Sequence, residues 1–444
     1  MSHLLGRRHF LQSSALATSA GATLLSSAKS YARVLGANDR VRVGVVGFAD
    51  RAKQSLIPAF SEHAKSLNME FAAVSDIWSV RRDEAKAHFQ GKYNQAIETT
   101  RNNDELYERK DIDAVIIATA DFQHAMHCVE AVKAGRDVYV EKPLANKLKD
   151  AKAVLTTVEK SKQIVQVGTQ RRSGTNYQAA NEYIRSGKFG DIVAVEMTWN
   201  VNQPGRWRRP ELVAKLKESD TDWKRFLMHM PHEKFDARKH LEYRLFWPYS
   251  SGIPCQWMVH QIDTVHWFSG LSHPRSVVAN GGIYMWHDGR KNFDTVTAVF
   301  DYGPADDMSK GFQVTYSSRQ TNEAGGTKEV YYSNGGTLDL DKNTVSSEGG
   351  LTEQNARPMG MKPFAVPAMK LPDMKVAAGA NTGADPLTSA HMRNWMECVR
   401  SRQQPNAPVR AGYNHALAVI MVKAALDTGK RITFDDRGQE LRVG

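Results

Sequence analysis

The stretch "AGRDVYVEKPLA", residues 134–145, decides the reading of the fold. Gly135 stands where a helix stops. "DVYVEKP" (137–143) then reads as a short buried strand that delivers Glu141, Lys142 and Pro143 at its end. Upstream, "FQHAMHCVEAVKAG" (122–135) has helical apolar spacing at Ala125, Val129 and Val132, and "DAVIIAT" (113–119) is an apolar, β-branched strand. Downstream, a helix to about Lys160 leads to the strand "QIVQVGTQ" (163–170). Alternating strands and helices with apolar strands predict a parallel sheet covered on both faces.

The same alternation extends to the N-terminal side. "VRVGVVGF" (41–48) is a first strand, a helix runs to about Leu67, "MEFAAVSD" (69–76) is a second strand and 80–90 an exposed helix. A dinucleotide fold needs a tight turn after its first strand, usually G-x-G-x-x-G, where backbone amides hold the pyrophosphate. Here the turn is Gly47-Phe48-Ala49-Asp50-Arg51-Ala52. Only the first glycine is kept, and Asp50 is unhelpful beside a pyrophosphate, an effect Arg51 is expected to offset. Asp76 ends strand two, where an acid can hydrogen-bond the adenosine ribose. This favours NAD over NADP, against which Arg81 and Arg82 are the opposing features.

Glu141-Lys142-Pro143 at a strand end, about a hundred residues after the first strand, resembles the glucose–fructose oxidoreductase and inositol dehydrogenase family. "DAVIIATADFQHAMHCVEA" resembles its fourth strand and His-bearing turn, "VQVGTQRRS" (165–173) its last nucleotide-domain strand, and "HQIDTVHWFSG" (260–270) its C-terminal-domain helix. "HMRNWMECVRSRQQP" (391–405) is similar to a terminal segment of exported members. The resemblance implies cofactor contacts at Gly47, Phe48, Ala49, Arg51, Asp76, Thr119, His124, Glu141, Lys142 and Gln170. It places Lys142 between the nicotinamide ribose and the substrate.

Past residue 172 the pattern changes. A helix near 176–186 and the strand "DIVAVEMTWN" (191–200) precede a long Trp- and Arg-rich connection, 201–250. A helix near 255–269 follows, then serial strands without helices between them, with a hairpin signal at Asn334-Gly335. Residues 343–385 read as an irregular surface excursion, and helices near 387–401 and 412–429 close the chain. The expected class is α/β: a Rossmann-type domain, 38–172, and an α+β domain, 173–444, with a large open, mostly antiparallel sheet for substrate binding and self-association.

Oxidation of a sugar hydroxyl needs a base and a group that orients the hydroxyl. Lys142 and His260 are the candidates, with Asp263 as orienter. Gln256, His260, Asp263 and Trp267 fall at helical spacing on one face. Inositol dehydrogenases carry an aspartate where Gln256 stands, so the ionisable carboxylate is lost there. Arg171, Gln256, His260 and Trp207 are expected on the substrate, and "GRWRRP" (205–210) is suited to an anionic sugar or to plain exposure. His260 and His266 lie six residues apart and cannot share one ion from one helix face, so no metal is expected.

Hydrophobic content of 41% and charged content of 24% are those of a globular chain, and three scattered cysteines give no metal spacing. "GRRHFLQ" (6–12) opens the chain's N-terminal region, and "SSALATSAGATLLSSA" (13–28) carries no charge. This layout, ending near residue 32, resembles a twin-arginine signal for export to the periplasm, leaving no stable membrane span once cleaved. Removing Arg7, Arg8 and Lys29 takes the formal charge from +11 to +8 without an aromatic-interleaved basic stripe, so nucleic acid is not an expected partner. Twin-arginine export moves folded protein, and the periplasm offers no NAD pool. The expectation is a tightly held, self-recycled cofactor. Three readings follow: a sugar oxidoreductase with two alternating substrates, a redox-neutral glycosidase working by oxidation and elimination, and a sugar-binding protein that keeps only the fold.

Overall fold

The computed structural model describes residues 39–304, 306–374 and 385–444; the proposed signal, 1–32, lies outside them. Strands β1 (Val41–Val46), β2 (Met69–Ser75), β3 (Glu98–Thr100), β4 (Ala114–Ile117), β5 (Asp137–Val140) and β6 (Val165–Val167) form one sheet in the order β3-β2-β1-β4-β5-β6. Every neighbouring pair is parallel. β4 and β5 are buried along their whole length, as strands covered on both faces must be. The strand order reverses at β1, so the carboxyl ends of β1 and β4 flank a crevice, the place where such sheets bind ligands.

The second sheet has ten strands: β7 (Ile192–Trp199), β8 (Ser276–Gly282), β9 (Thr295–Tyr302), β10 (Phe312–Arg319), β11 (Thr327–Ser333), β12 (Gly336–Asp339), β13 (Thr344–Ser346), β14 (Met369–Lys370), β15 (Ile432–Asp435) and β16 (Glu440–Val443). Only β7 and β10 pair in parallel. β9 and β10 alternate buried and more exposed residues, so one face packs and the other is open. The packed face carries the helices Val259–Ser269 and Val409–Thr428. The second of these is apolar on most sides because it also meets the Rossmann domain. A Cβ on Gly412 would lie 2.7 Å from Val167 and 2.9 Å from Leu144.

Three features differ from expectation. The chain closes on the β15–β16 hairpin rather than on a helix. The 343–385 excursion supplies β13 and β14 to the sheet edge and a short helix, Glu353–Ala356. The helix Pro386–Ser401, though late in the chain, packs into the Rossmann core: Met392, Trp395 and Met396 are fully buried among Phe48, Ile57, Phe60 and Tyr139. Burying each such side chain is worth ~1.5–3 kcal/mol, which holds the C-terminal segment on the first domain. Among the described residues no helix is long and apolar enough to cross a membrane.

Candidate active site

A cleft of about 590 Å³ opens at the carboxyl ends of β1, β2, β4 and β5. Its first wall is the turn after β1. Gly47 has φ +90°, and a Cβ there would meet the Ala118 carbonyl oxygen at 2.8 Å, so glycine is required. Ala49 has no positive φ, so alanine fits without strain. Ala52 is fully buried, as close helix–strand packing demands. The helix that follows opens with a wide π-helical turn, Ala52–Leu56. Phe48 turns its ring into the core against Phe89, and its amide donates to Asp76 Oδ2 at 2.8 Å. The Trp78 amide donates to Asp76 Oδ1 at 2.9 Å. Burial raises the Asp76 carboxyl pKa against the pull of these two amides.

The charges around this turn are not paired as expected. Arg51 donates to Glu141 Oε1 at 2.8 Å and to Ser55 Oγ at 2.7 Å. It is Arg209, from the 201–250 connection, that meets Asp50, at 3.1 Å. Glu141 also accepts from Gln170 at 3.2 Å, and burial raises while Arg51 and Lys142 lower its pKa, with a net fall. His124 places its ring nitrogens 2.8 Å from the Pro143 carbonyl oxygen and 3.3 Å from that of Thr119. It therefore staples the β4 turn to the Lys142-Pro143 turn. Gly47, Ala49, Asp76, Thr119, Glu141 and Gln170 all line the cleft. A glycine cradle at a helix start, an acid at the end of β2 and a groove joining both to Lys142 fit a dinucleotide.

Lys142 Nζ donates to the backbone oxygen of Gln256 at 3.0 Å, joining the two domains across the cleft. Burial lowers its pKa, opposed by Glu141 and Asp121. Gln256 lies in a π-helical turn, Pro254–Met258, that runs into Val259–Ser269. Its side-chain amide donates to Asp121 Oδ2 at 2.5 Å, and its Oε1 accepts from Arg244 at 2.9 Å. His260 lines the cleft beside Trp199, ring centroids 6.0 Å apart. Burial, and then the charge on Lys142, hold its pKa well below the ordinary value, so it is neutral at pH 7.

Asp263 does not line the cleft. It is fully buried, with Arg172 bidentate on it at 2.7 and 3.1 Å and His415 3.5 Å away. His415 in turn accepts from the Leu144 amide at 3.5 Å. Asp263 thus supports the Lys142 turn from below, through His415. Arg171 lines the cleft but is committed to Glu329, with its guanidinium over Tyr177 and Trp199. Trp207 lines the cleft next to Trp257, ring centroids 5.5 Å apart. Sequence reasoning missed Asp121, Arg244 and the Arg172–His415 pair.

The 201–250 connection forms the opposite wall. Arg209 reaches Asp50, and Arg225 donates to Asn103 at 2.6 Å and Glu130 at 2.7 Å. Gln123 donates to the Phe226 carbonyl at 2.7 Å, and Phe226 packs on Phe122. His229 sits 3.1 Å from Asp150. The segment crosses the groove and is tied to the Rossmann domain on both sides of it.

Residues 41–169 match the GFO_IDH_MocA family, described as an oxidoreductase family with an NAD-binding Rossmann fold. The chain is 25% identical over 241 residues to a glycosyl hydrolase family 109 protein of Shewanella sp. (strain W3-18-1), covering 50% of this chain and 51% of the relative. It is 30% identical over 178 residues to inositol 2-dehydrogenase of Salmonella paratyphi B, covering 38% and 51%. The chain thus spans about half the length of these curated relatives. A levoglucosan dehydrogenase solved with NADH and levoglucosan shares the fold at TM-score 0.63 and 15% identity, over 89% of this chain and 99% of that one. Residues 41–169 are thus similar to the NAD-binding Rossmann fold of that oxidoreductase family, and their parallel sheet is joined here to an open-sheet domain.

Proposed function

We propose that this chain is an exported, NAD-dependent oxidoreductase that acts on a hydroxyl of a sugar, polyol or glycoside and recycles a tightly held cofactor in place. The observation that carries this reading is the 201–250 segment, anchored by Arg209 on Asp50 and by Arg225 on Asn103 and Glu130 across the cofactor groove. A dinucleotide leaving the groove must part these contacts. Export through the Arg7-Arg8 signal suits a protein that leaves the cytosol already loaded. Asp76 at the end of β2 supports NAD over NADP. The open face of the second sheet, with Val193 and Val278 exposed, suits self-association.

Bound NAD supplies a hydride acceptor and donor, and the protein does the rest. His260, neutral at pH 7, takes the hydroxyl proton. Lys142 donates a hydrogen bond to the reacting oxygen and stabilises charge there as the carbonyl forms. The Asp121 carboxylate holds Gln256 and offsets the Lys142 charge. Trp207 and Trp257 offer apolar faces to a sugar ring.

A second reading has support from the glycosyl hydrolase relatives: with bound NAD storing the hydride of an oxidised ring hydroxyl, His260 and Lys142 would remove the acidified neighbouring proton, let the glycosidic oxygen leave protonated and direct water onto the double bond it leaves, before the hydride is returned. The two are separated by supplying aryl glycosides and free sugars to the loaded protein. A ketone that accumulates only with a second, reducible carbonyl compound supports the oxidoreductase. Release of aglycone with no net cofactor change supports the glycosidase. Sugar binding without either product supports a binding protein.

A further inference from the structure

We propose that Tyr243 and Arg244 bind a second, uncharged hydroxyl of the substrate, on the carbon next to the one oxidised, so that the cleft selects a vicinal diol; this rests on the sugar chemistry proposed above. Both residues line the cleft. Arg244 donates through Nε to Gln256 Oε1 at 2.9 Å, and its guanidinium lies 4.6 Å over the Tyr243 ring. Among the described residues the two Nη groups of Arg244 have no acceptor. The Tyr243 hydroxyl likewise has no hydrogen-bond partner among them, although the residue is only 9% exposed. Burial lifts the pKa of this phenol against the pull of Arg244, so it stays protonated.

Two links place these groups at the reacting end of the cleft. Lys142 donates to the backbone oxygen of Gln256, and Arg244 donates to the side-chain oxygen of the same residue. The ammonium proposed for the reacting oxygen and the guanidinium are therefore anchored side by side. The Tyr243 hydroxyl feels the charges of Asp121 and Glu141, which also act on Lys142. The charge on Arg244 is already offset. Gln256 joins it to the buried Asp121 carboxylate, and while burial lowers the Arg244 pKa, Tyr243 and Asp121 raise it, with a net rise. A second anion is not called for here, and a neutral group that both donates and accepts is. A hydroxyl accepts from the guanidinium and exchanges a hydrogen bond with the phenol in either direction. Stacking on Tyr243 fixes the plane of the guanidinium, so its free N–H groups point in set directions. An alcohol without the neighbouring hydroxyl leaves both groups unpaired in a site shielded from water, and such a site rejects it.

The test titrates cofactor-loaded protein with the methyl glycosides of glucose and galactose, all their monodeoxy analogues, and the methyl glycoside of glucuronic acid, reading tryptophan fluorescence. In the wild type, loss of either of two hydroxyls on adjacent carbons should weaken binding about tenfold or more, and loss of any other should cost less. Tyr243→Phe and Arg244→Lys should each weaken the parent glycoside about tenfold. In both variants the penalty for one hydroxyl of the pair should shrink to about twofold or less, while the penalty for the other persists. Melting temperature and bound cofactor near those of the wild type show that the variants are folded and loaded. Penalties at carbons that are not adjacent, or penalties unchanged in both variants, would overturn the proposal. So would a glucuronide that binds more tightly than the parent and loses that advantage in Arg244→Lys, since the arginine would then serve an acid. Failure of the sugar reading would show separately, as loaded wild-type protein that responds to none of these glycosides, and would take this inference with it.

Discussion

Gln256 Nε2 donates to Asp121 Oδ2 at 2.5 Å, across the junction of the two domains. A glutamine at this point cannot ionise, but it recruits a carboxylate from the turn after β4, and that carboxylate lies close enough to Lys142 to oppose the fall in pKa that burial imposes on it. The charge missing from the helix is thereby supplied by the Rossmann domain. Asp121→Asn keeps the shape and removes the charge. It should lower kcat by roughly 10²-fold, within the range of a lost acid–base partner, with bound cofactor unchanged. A variant with full kcat would contradict the role of Asp121 in holding Gln256 and offsetting the Lys142 charge.

Lys142 Nζ bridges the Glu-Lys-Pro turn and the Gln256 backbone across the cleft. Lys142→Ala should lower kcat by about 10³-fold or more while circular dichroism and melting temperature stay near those of the wild type. Normal turnover in the folded variant would contradict the site assignment.

In the proposed account the anchors of the 201–250 segment set the rate at which cofactor escapes. Arg209→Ala and Arg225→Ala each remove a charge-assisted contact worth about 1–2 kcal/mol at partly buried positions. Each should speed cofactor release roughly tenfold, measured by dilution into a scavenging dehydrogenase. Unchanged release from both variants would mean that the segment does not hold the cofactor.

Buried neutral histidines make the fold sensitive to acid. Burial lowers His266 to about 3 and His391 to about 4, from an ordinary value of 6.5. Between those values the unfolded chain binds more protons than the folded one, so stability is full above pH 6.5 and falls as pH drops. At pH 5 each histidine should cost about 2 kcal/mol. The melting temperature should be level from pH 7 to 8 and fall steeply from 6.5 to 4.5. A level profile down to pH 4.5 would contradict this.

The first sheet is readable in the sequence because strands buried on both faces, such as Ala114–Ile117, are short apolar runs between helical periods. The Glu-Lys-Pro trio and His260 carry local context that places them at the cleft. Asp121 carries none, since its turn reads as the start of a helix and its partners, Ser250, Cys255 and Gln256, come from far along the chain. Asp263 misled for a related reason. Helical spacing puts it near the face of His260, but Arg172 and His415, remote in sequence, hold it beneath the site. The closing hairpin had a usable signal: Ile432 and Phe434 alternate with polar residues before the 436–439 turn.

The central claim is that the protein carries its own cofactor. The most direct measurement purifies the protein as its host makes it, denatures it and identifies the released small molecules by mass spectrometry. The account predicts one equivalent of NAD per chain. Protein that releases no dinucleotide, and binds neither NAD nor NADP when they are added, would contradict it.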